Sequence, residues 1–165
     1  MSIRISENSN SRIWFSSDYH FSHANIIKYC DRPFENVEEM RKVIVKRHNE
    51  VVKKTDIVFC LGDISFNHSL ENLDKMNGSF ILIKGNHDDK HVKKISPAEM
   101  VVSYYNTHLL LLHNPKNIYG NFSLNVCGHV HEKWKYRKDI NALNVGVDVW
   151  DFYPVPLDEV LKYCK

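Results

Sequence analysis

Ile57-Val58-Phe59-Cys60-Leu61-Gly62-Asp63 is the stretch on which the fold turns. A short uncharged apolar run that ends on glycine and a carboxylate reads as a buried strand delivering an acidic side chain where it leaves the sheet. Four other runs repeat the pattern. Ile13-Trp14-Phe15-Ser16-Ser17 leads into Asp18 and His20, and Phe80-Ile81-Leu82-Ile83-Lys84-Gly85 leads into Asn86 and His87. Leu109-Leu110-Leu111-Leu112 leads into His113, and Leu124-Asn125-Val126-Cys127-Gly128 into His129 and His131.

If each run is a buried strand, oxygen and nitrogen donors gather along one sheet edge, where open α/β sheets place their ligands. Asp18 and Asp63 offer hard carboxylates and Asn86 a neutral carbonyl oxygen. His20, His113, His129 and His131 offer imidazoles suited to zinc, manganese, iron or nickel. This donor set exceeds one tetrahedral ion and suits two ions sharing a carboxylate. Gly62, Gly85 and Gly128 each stand directly before a proposed ligand, where a missing side chain lets the backbone come close.

Around these runs the chain alternates strand and helix in its first half. Asn36 caps a helix, with Glu39 in a capping-box position, and a shorter helix follows Ser69 carrying Leu70, Leu73 and Met76. Alternation of this kind predicts parallel crossover units. The second half, with runs at 109–112, 124–127 and 142–147, is strand-rich, with room for antiparallel pairs. Pro154 and Pro156 precede a last short helix from about Leu157. The fold class expected is α/β. A length of 165 residues fits one domain, 1–165, with 1–12 a flexible or edge segment.

A formal net charge of +2, without a Lys/Arg-dense stretch, gives no sign of general nucleic-acid binding. No apolar stretch approaches the ~20 residues of a membrane span, and the polar start is no secretory signal. Cys30, Cys60, Cys127 and Cys164 form no C-x-x-C pair, and Cys60 and Cys127 read as small buried hydrophobes. A reducing cytoplasm is therefore the expected compartment.

Taken in order, Asp18-Tyr19-His20, Gly62-Asp63, Gly85-Asn86-His87-Asp88, His113 and Gly128-His129-Val130-His131 resemble the five motifs of the calcineurin-like metallophosphoesterases. The match runs over roughly residues 13–150. The text Ile26-Ile27-Lys28-Tyr29-Cys30, Arg32-Pro33-Phe34 and Asn144-Val145-Gly146-Val147-Asp148-Val149-Trp150 looks like the small bacterial and phage branch.

The resemblance implies a two-sheet β-sandwich flanked by helices, in a four-layer arrangement with metals at its rim. It implies Asp18, His20, Asp63 and His131 on one metal, and Asp63, Asn86, His113 and His129 on the other, with Asp63 bridging. It further implies hydrolysis of phosphodiesters or phosphomonoesters by a hydroxide shared between the metals. His87 would be the general acid and Asp88 the residue that orients it. Two divalent ions are expected, with manganese serving in vitro. The substrate is expected to be a small phosphate ester, a nucleotide or a nucleic-acid end, and the oligomeric state stays open.

The alternative is a non-catalytic metal-binding scaffold of the same fold; such relatives lose the histidine after the asparagine or some ligands, and here all are present. A nuclease of the DNA-repair type predicts a basic groove or an added domain, and the chain shows neither. His23 is a candidate substrate or ligand contact, and Arg32, with its fork of donors, a candidate phosphate clamp. His48, His68, His91 and His108 lack motif context and read as surface or packing residues. Asp148 and Asp151 read as capping or turn residues, and Trp14, Trp134 and Trp150 as packing.

Overall fold

The computed structural model describes residues 1–5, 11–65 and 69–165, so His68 and part of the N-terminal segment lie outside the described residues. In chain order the elements are β1 (Ser2–Ile5), β2 (Ile13–Ser16), α1 (Asn25–Tyr29), α2 (Val37–Val51), β3 (Ile57–Cys60), β4 (Ser79–Leu82) and α3 (Lys90–Ile95). There follow β5 (Glu99–Tyr104), β6 (Thr107–Leu112), β7 (Leu124–Cys127), β8 (Tyr136–Arg137), β9 (Ala142–Asn144), β10 (Val155–Pro156) and α4 (Leu157–Leu161).

Two mixed sheets flanked by helices result, with strand orders β1-β5-β6-β7-β9-β8 and β10-β2-β3-β4. The expected crossover units are present: β2, β3 and β4 run parallel. In the larger sheet β6, β7 and β9 are also parallel, while β5–β6 and β8–β9 are antiparallel. The main core lies between the sheets, where Phe15, Phe59, Leu61 and Ile83 meet Val102, Leu109, Leu111, Leu124, Val126 and Leu143. Full burial of each such side chain contributes about 1.5–3 kcal/mol, which fixes which face of each strand points inward.

The outer face of the smaller sheet is covered by Ile26 of α1, Met40 and Ile44 of α2, and Val92 of α3. The side chain of Asn36 accepts the Glu39 amide as the cap of α2. The Glu39 carboxylate, however, closes on the Glu35 amide at 2.7 Å, one residue earlier than a capping box requires. His48 is buried on α2, with Nε2 2.8 Å from the Asn77 carbonyl and its ring stacked on Phe80. The segment after Ser69 is a 3-10 helix, Ser69–Lys75, rather than an α-helix. β5 was not anticipated, since Glu99–Tyr104 opens on a charge, and β1, an edge strand within the segment 1–12, alternates half-buried and exposed. No helix among the described residues is long and apolar enough to cross a membrane.

Candidate metal centre

β2, β3, β4, β6 and β7 all end on the same rim, and two isolated parallel bridges, Ser17–Gly146 and Phe21–Ser65, hold the following loops together. The backbone there is unusual. Asp18, His20, Asp63, His129 and His131 all have φ between 50° and 72°. Each such non-glycine residue costs roughly 1–2 kcal/mol, and strain of this kind clusters where a site over-determines the chain.

Close approach is bought by glycine at two points. A Cβ on Gly85 would lie 2.1 Å from Asp63 Oδ1, and one on Gly128 would lie 2.0 Å from Ser17 Oγ and 2.5 Å from Asp18 Oδ2. No side chain fits at either position.

Among the described residues three groups of donors are close enough to share an ion: the motif residues form two, and Cys30, His131 and Asp148 form the third. Asp18, His20 and His131 bring one ligand atom each to within 4.8 Å of one another, and Asp63, His113 and His129 do the same. Asn86 joins the second group, its Oδ1 3.0 Å from His113 Nε2. Asp63 lies between them, with Oδ2 3.5 Å from His20 Nε2 and 3.2 Å from His113 Nε2. Asp63 Oδ2 and His20 Nε2 are buried and have no hydrogen-bond partner. Buried polar atoms are nearly always satisfied, so this pair marks room for an ion. The donors, imidazole with carboxylate and amide oxygen, fit a divalent transition metal.

The remaining atoms of these side chains are fixed from behind. Asp18 accepts the His129 amide, and Asp63 Oδ1 accepts the His87 amide at 2.8 Å. His113 Nδ1 donates to the Leu61 carbonyl at 2.7 Å, which leaves Nε2 toward the site. His23 Nδ1 lies 3.4 Å from His20 Nδ1, and the ring of His87 lies 5.6 Å from that of His20.

Electrostatics follow from this geometry. Burial drives the Asp18 carboxyl above its ordinary range. For Asp63 burial pushes the same way but is outweighed by the His113 and His20 rings and the His87 amide, which hold it well below the ordinary range. Burial lowers the His20 pKa to about 2. His113 also feels burial, yet the Asp63 and Asp18 carboxylates lift it to about 9. His131 is likewise lifted to about 10, chiefly through Asp148.

Two expectations need correction. Arg32 is not placed to clamp a phosphate: its side chain is 0% exposed and every N–H is engaged. Nε and Nη2 grip Asp148 at 2.7 and 2.9 Å, Nη2 also bonds the Asp18 carbonyl, and Nη1 bonds the Tyr19 carbonyl and Met40 Sδ. Asp88 does not serve His87: its carboxylate accepts the amides of Gly85, Asp63 and Ile64 at 2.7–3.1 Å. It ties the loop after β3 to the loop after β4. The helix-capping aspartate is its neighbour Asp89, which accepts the Val92 amide.

The residue missed in the sequence is Asp148. Its Oδ2 lies 3.0 Å from His131 Nδ1 while both its oxygens hold Arg32. A carboxylate behind a ligating histidine fixes ring orientation and tautomer. Asn144 was missed too: its amide bonds the His131 and Trp134 carbonyls, and its oxygen accepts the Gly146 amide. The signal was the segment Asn144–Trp150, where Asn144 and Asp148 interrupt an otherwise apolar run.

Comparison with known proteins agrees with this geometry. Residues 12–151 match the calcineurin-like phosphoesterase superfamily domain. An uncharacterized protein of Methanocaldococcus jannaschii is 39% identical over 166 residues, covering 92% of this chain and 90% of the relative. A protein of unknown function from Aquifex aeolicus shares the fold, with TM-score 0.76, 24% identity, and coverage of 93% of this chain and 99% of that one. A single mutant of Vps29 from Entamoeba histolytica is more distant, with TM-score 0.51, 18% identity, and coverage of 80% and 72%. With its motifs on one rim and its family match spanning most of its length, the chain belongs to the calcineurin-like phosphoesterase superfamily, a family of metal-dependent hydrolases.

Proposed function

We propose that this chain is a two-metal phosphoesterase that favours phosphodiesters over phosphomonoesters. The observation that carries this reading is Asp63 Oδ2, buried, unpartnered and set between His20 Nε2 and His113 Nε2. A carboxylate oxygen held ionised between nitrogen donors of two groups has the placement a shared ligand needs. Asp18, His20 and His131 would hold one ion, Asn86, His113 and His129 the other, and Asp63 both. Manganese, iron, zinc or nickel suits these donors. When bound, such a pair supplies Lewis acidity toward phosphoryl oxygens and a water acidified into the neutral range.

The chain's own residues do the rest. Asp148 and the Leu61 carbonyl keep the Nδ1 protons of His131 and His113 away from the ions. His23, beside His20 Nδ1, keeps Nε2 of that ring turned to Asp63. His87 is exposed at the rim, anchored through its amide, and passes its proton to the departing alkoxide oxygen. Small phosphate esters, nucleotides and nucleic-acid ends are the substrates we propose, handled by residues 1–165 acting as one domain. Its four free cysteines, Cys60 and Cys127 fully buried, suit the cytoplasm.

The test is turnover of bis(p-nitrophenyl) phosphate and p-nitrophenyl phosphate with manganese, nickel, zinc or ferrous ion. We expect ion-dependent hydrolysis, faster on the diester and abolished by chelator. Metal binding without turnover for every ion would instead make the chain a scaffold.

A further inference from the structure

Among the described residues, two cavities lie beside the donor cluster, and they differ in charge. The first, about 310 Å³, opens beyond Asn86 and His113 and is walled by Lys84, Lys93, Asn114 and Asn117. Lys93 Nζ donates to the Asn86 carbonyl at 2.7 Å, which stations its ammonium beside the second donor group. Asn114 Oδ1 accepts the Lys116 amide at 3.0 Å, leaving the Asn114 NH₂ as a donor. The one carboxylate on this wall, Glu99, accepts the Tyr119 hydroxyl at 2.9 Å. The second cavity, about 400 Å³, is walled by Asp31, Glu132, Asp148 and Asp151; Asp148 and Arg32 are committed to each other and Arg47 pairs with Asp151 at 3.0 Å, so Asp31 and Glu132 carry its remaining charge.

We propose that the cavity bounded by Lys84 and Lys93 is a subsite for a second phosphate of the substrate. The reading rests on the proposed function, since it takes the ester phosphate to sit at the Asp63 cluster. Lysine ammonium groups bind phosphate as point charges. The cavity beside Asp31 and Glu132 disfavours the same group, so the difference between the two cavities sets one orientation for the ligand. The class selected is a phosphodiester whose non-leaving side carries a further phosphate, as a nucleoside does when its 5′-phosphate is esterified to the leaving group and its 3′ oxygen bears a phosphate; the corresponding 3′,5′-bisphosphate is the product of its hydrolysis.

Binding tests this without turnover. Thymidine 3′,5′-bisphosphate and thymidine 5′-phosphate are titrated into metal-free and manganese-loaded protein by calorimetry. The bisphosphate should bind about tenfold more tightly at low salt, and the gap should shrink as ionic strength screens the lysines. Lys84→Glu, at an exposed position, should narrow the gap, and Lys84→Glu with Lys93→Ala should close it. Equal affinities in the unaltered protein, or a gap that survives both substitutions, would overturn the subsite.

Hydrolysis of thymidine 5′-(p-nitrophenyl phosphate), with and without a 3′-phosphate, separates this from the wider reading. A binding gap without turnover leaves the subsite standing and removes the hydrolase. Turnover without a gap does the reverse.

Discussion

Replacing Asp148 with asparagine tests how the candidate site is held. The carboxylate accepts three N–H groups: Arg32 Nε at 2.7 Å, Arg32 Nη2 at 2.9 Å and His131 Nδ1 at 3.0 Å. Asparagine keeps the shape and one oxygen, but its NH₂ must face one of those donors, and the buried guanidinium loses its counter-charge. Breaking a buried ion pair from one side costs about 3–5 kcal/mol, and the retained oxygen argues for the lower end. For a chain of this size each kcal/mol moves the melting midpoint by roughly 2–4 °C, so metal-free Asp148→Asn should melt about 6–12 °C lower.

Losing the carboxylate behind a ligating histidine should weaken the ion at Asp18, His20 and His131 about 10–100-fold. Arg32→Lys should cost similar stability but spare more metal affinity, because His131 keeps its acceptor. Calorimetric melting and manganese titration read both quantities. An Asp148→Asn protein with unaltered manganese affinity would refute the role assigned to Asp148.

Four further outcomes are expected. In the metal-free protein His113 and His131 titrate near pH 9 and 10, so manganese binding at neutral pH should release protons and tighten as pH rises toward that range; titrations in buffers of different ionisation enthalpy measure the release, and none at pH 7 would contradict the assignment. Because both pKa values are raised above that of an unfolded histidine, the stability these groups contribute to the metal-free protein is full below about pH 6.5 and lost as pH climbs through 9 to 10; denaturant melts across that range check the sign. Gly128→Ala should lose at least about 1–3 kcal/mol and its metal at Asp18, since the added methyl meets Ser17 Oγ and Asp18 Oδ2; a stable, metal-replete variant would contradict the close approach. His87→Ala should keep its metal content while losing about 10²–10⁴-fold on alkyl esters and less on nitrophenyl esters; equal losses on both would remove the acid role.

Strands whose sequence is apolar throughout were legible, because nothing competes with burial for Ile57–Cys60 or Leu109–Leu112. β1 was not, since its partner lies far along the chain: Ser2 pairs with Val101, a contact no local pattern encodes; β5, although it forms a hairpin with β6, opens on Glu99 and mixes polar with apolar residues. That the donor side chains meet on one rim was legible because each follows a strand and bears a group able to bind a metal. What holds them was not. Arg32 and Asp148 are 116 residues apart, and only folding shows that the guanidinium spends its donors on Asp148 and the Asp18 carbonyl. The resemblance implied a pairing of Asp88 with His87, while the turn after β4 delivers the Asp88 carboxylate to amides of another loop. The left-handed backbone at Asp18 and His131 likewise carries no sequence mark, because aspartate and histidine tolerate that conformation more readily than most residues yet adopt it only where the fold imposes it.

The most direct test is anomalous diffraction from crystals grown with manganese, recorded at the metal edge. Two peaks about 3.5–4 Å apart are expected on either side of Asp63, one bound by Asp18, His20 and His131 and the other by Asn86, His113 and His129. A single peak, or two that do not share Asp63, would contradict the account.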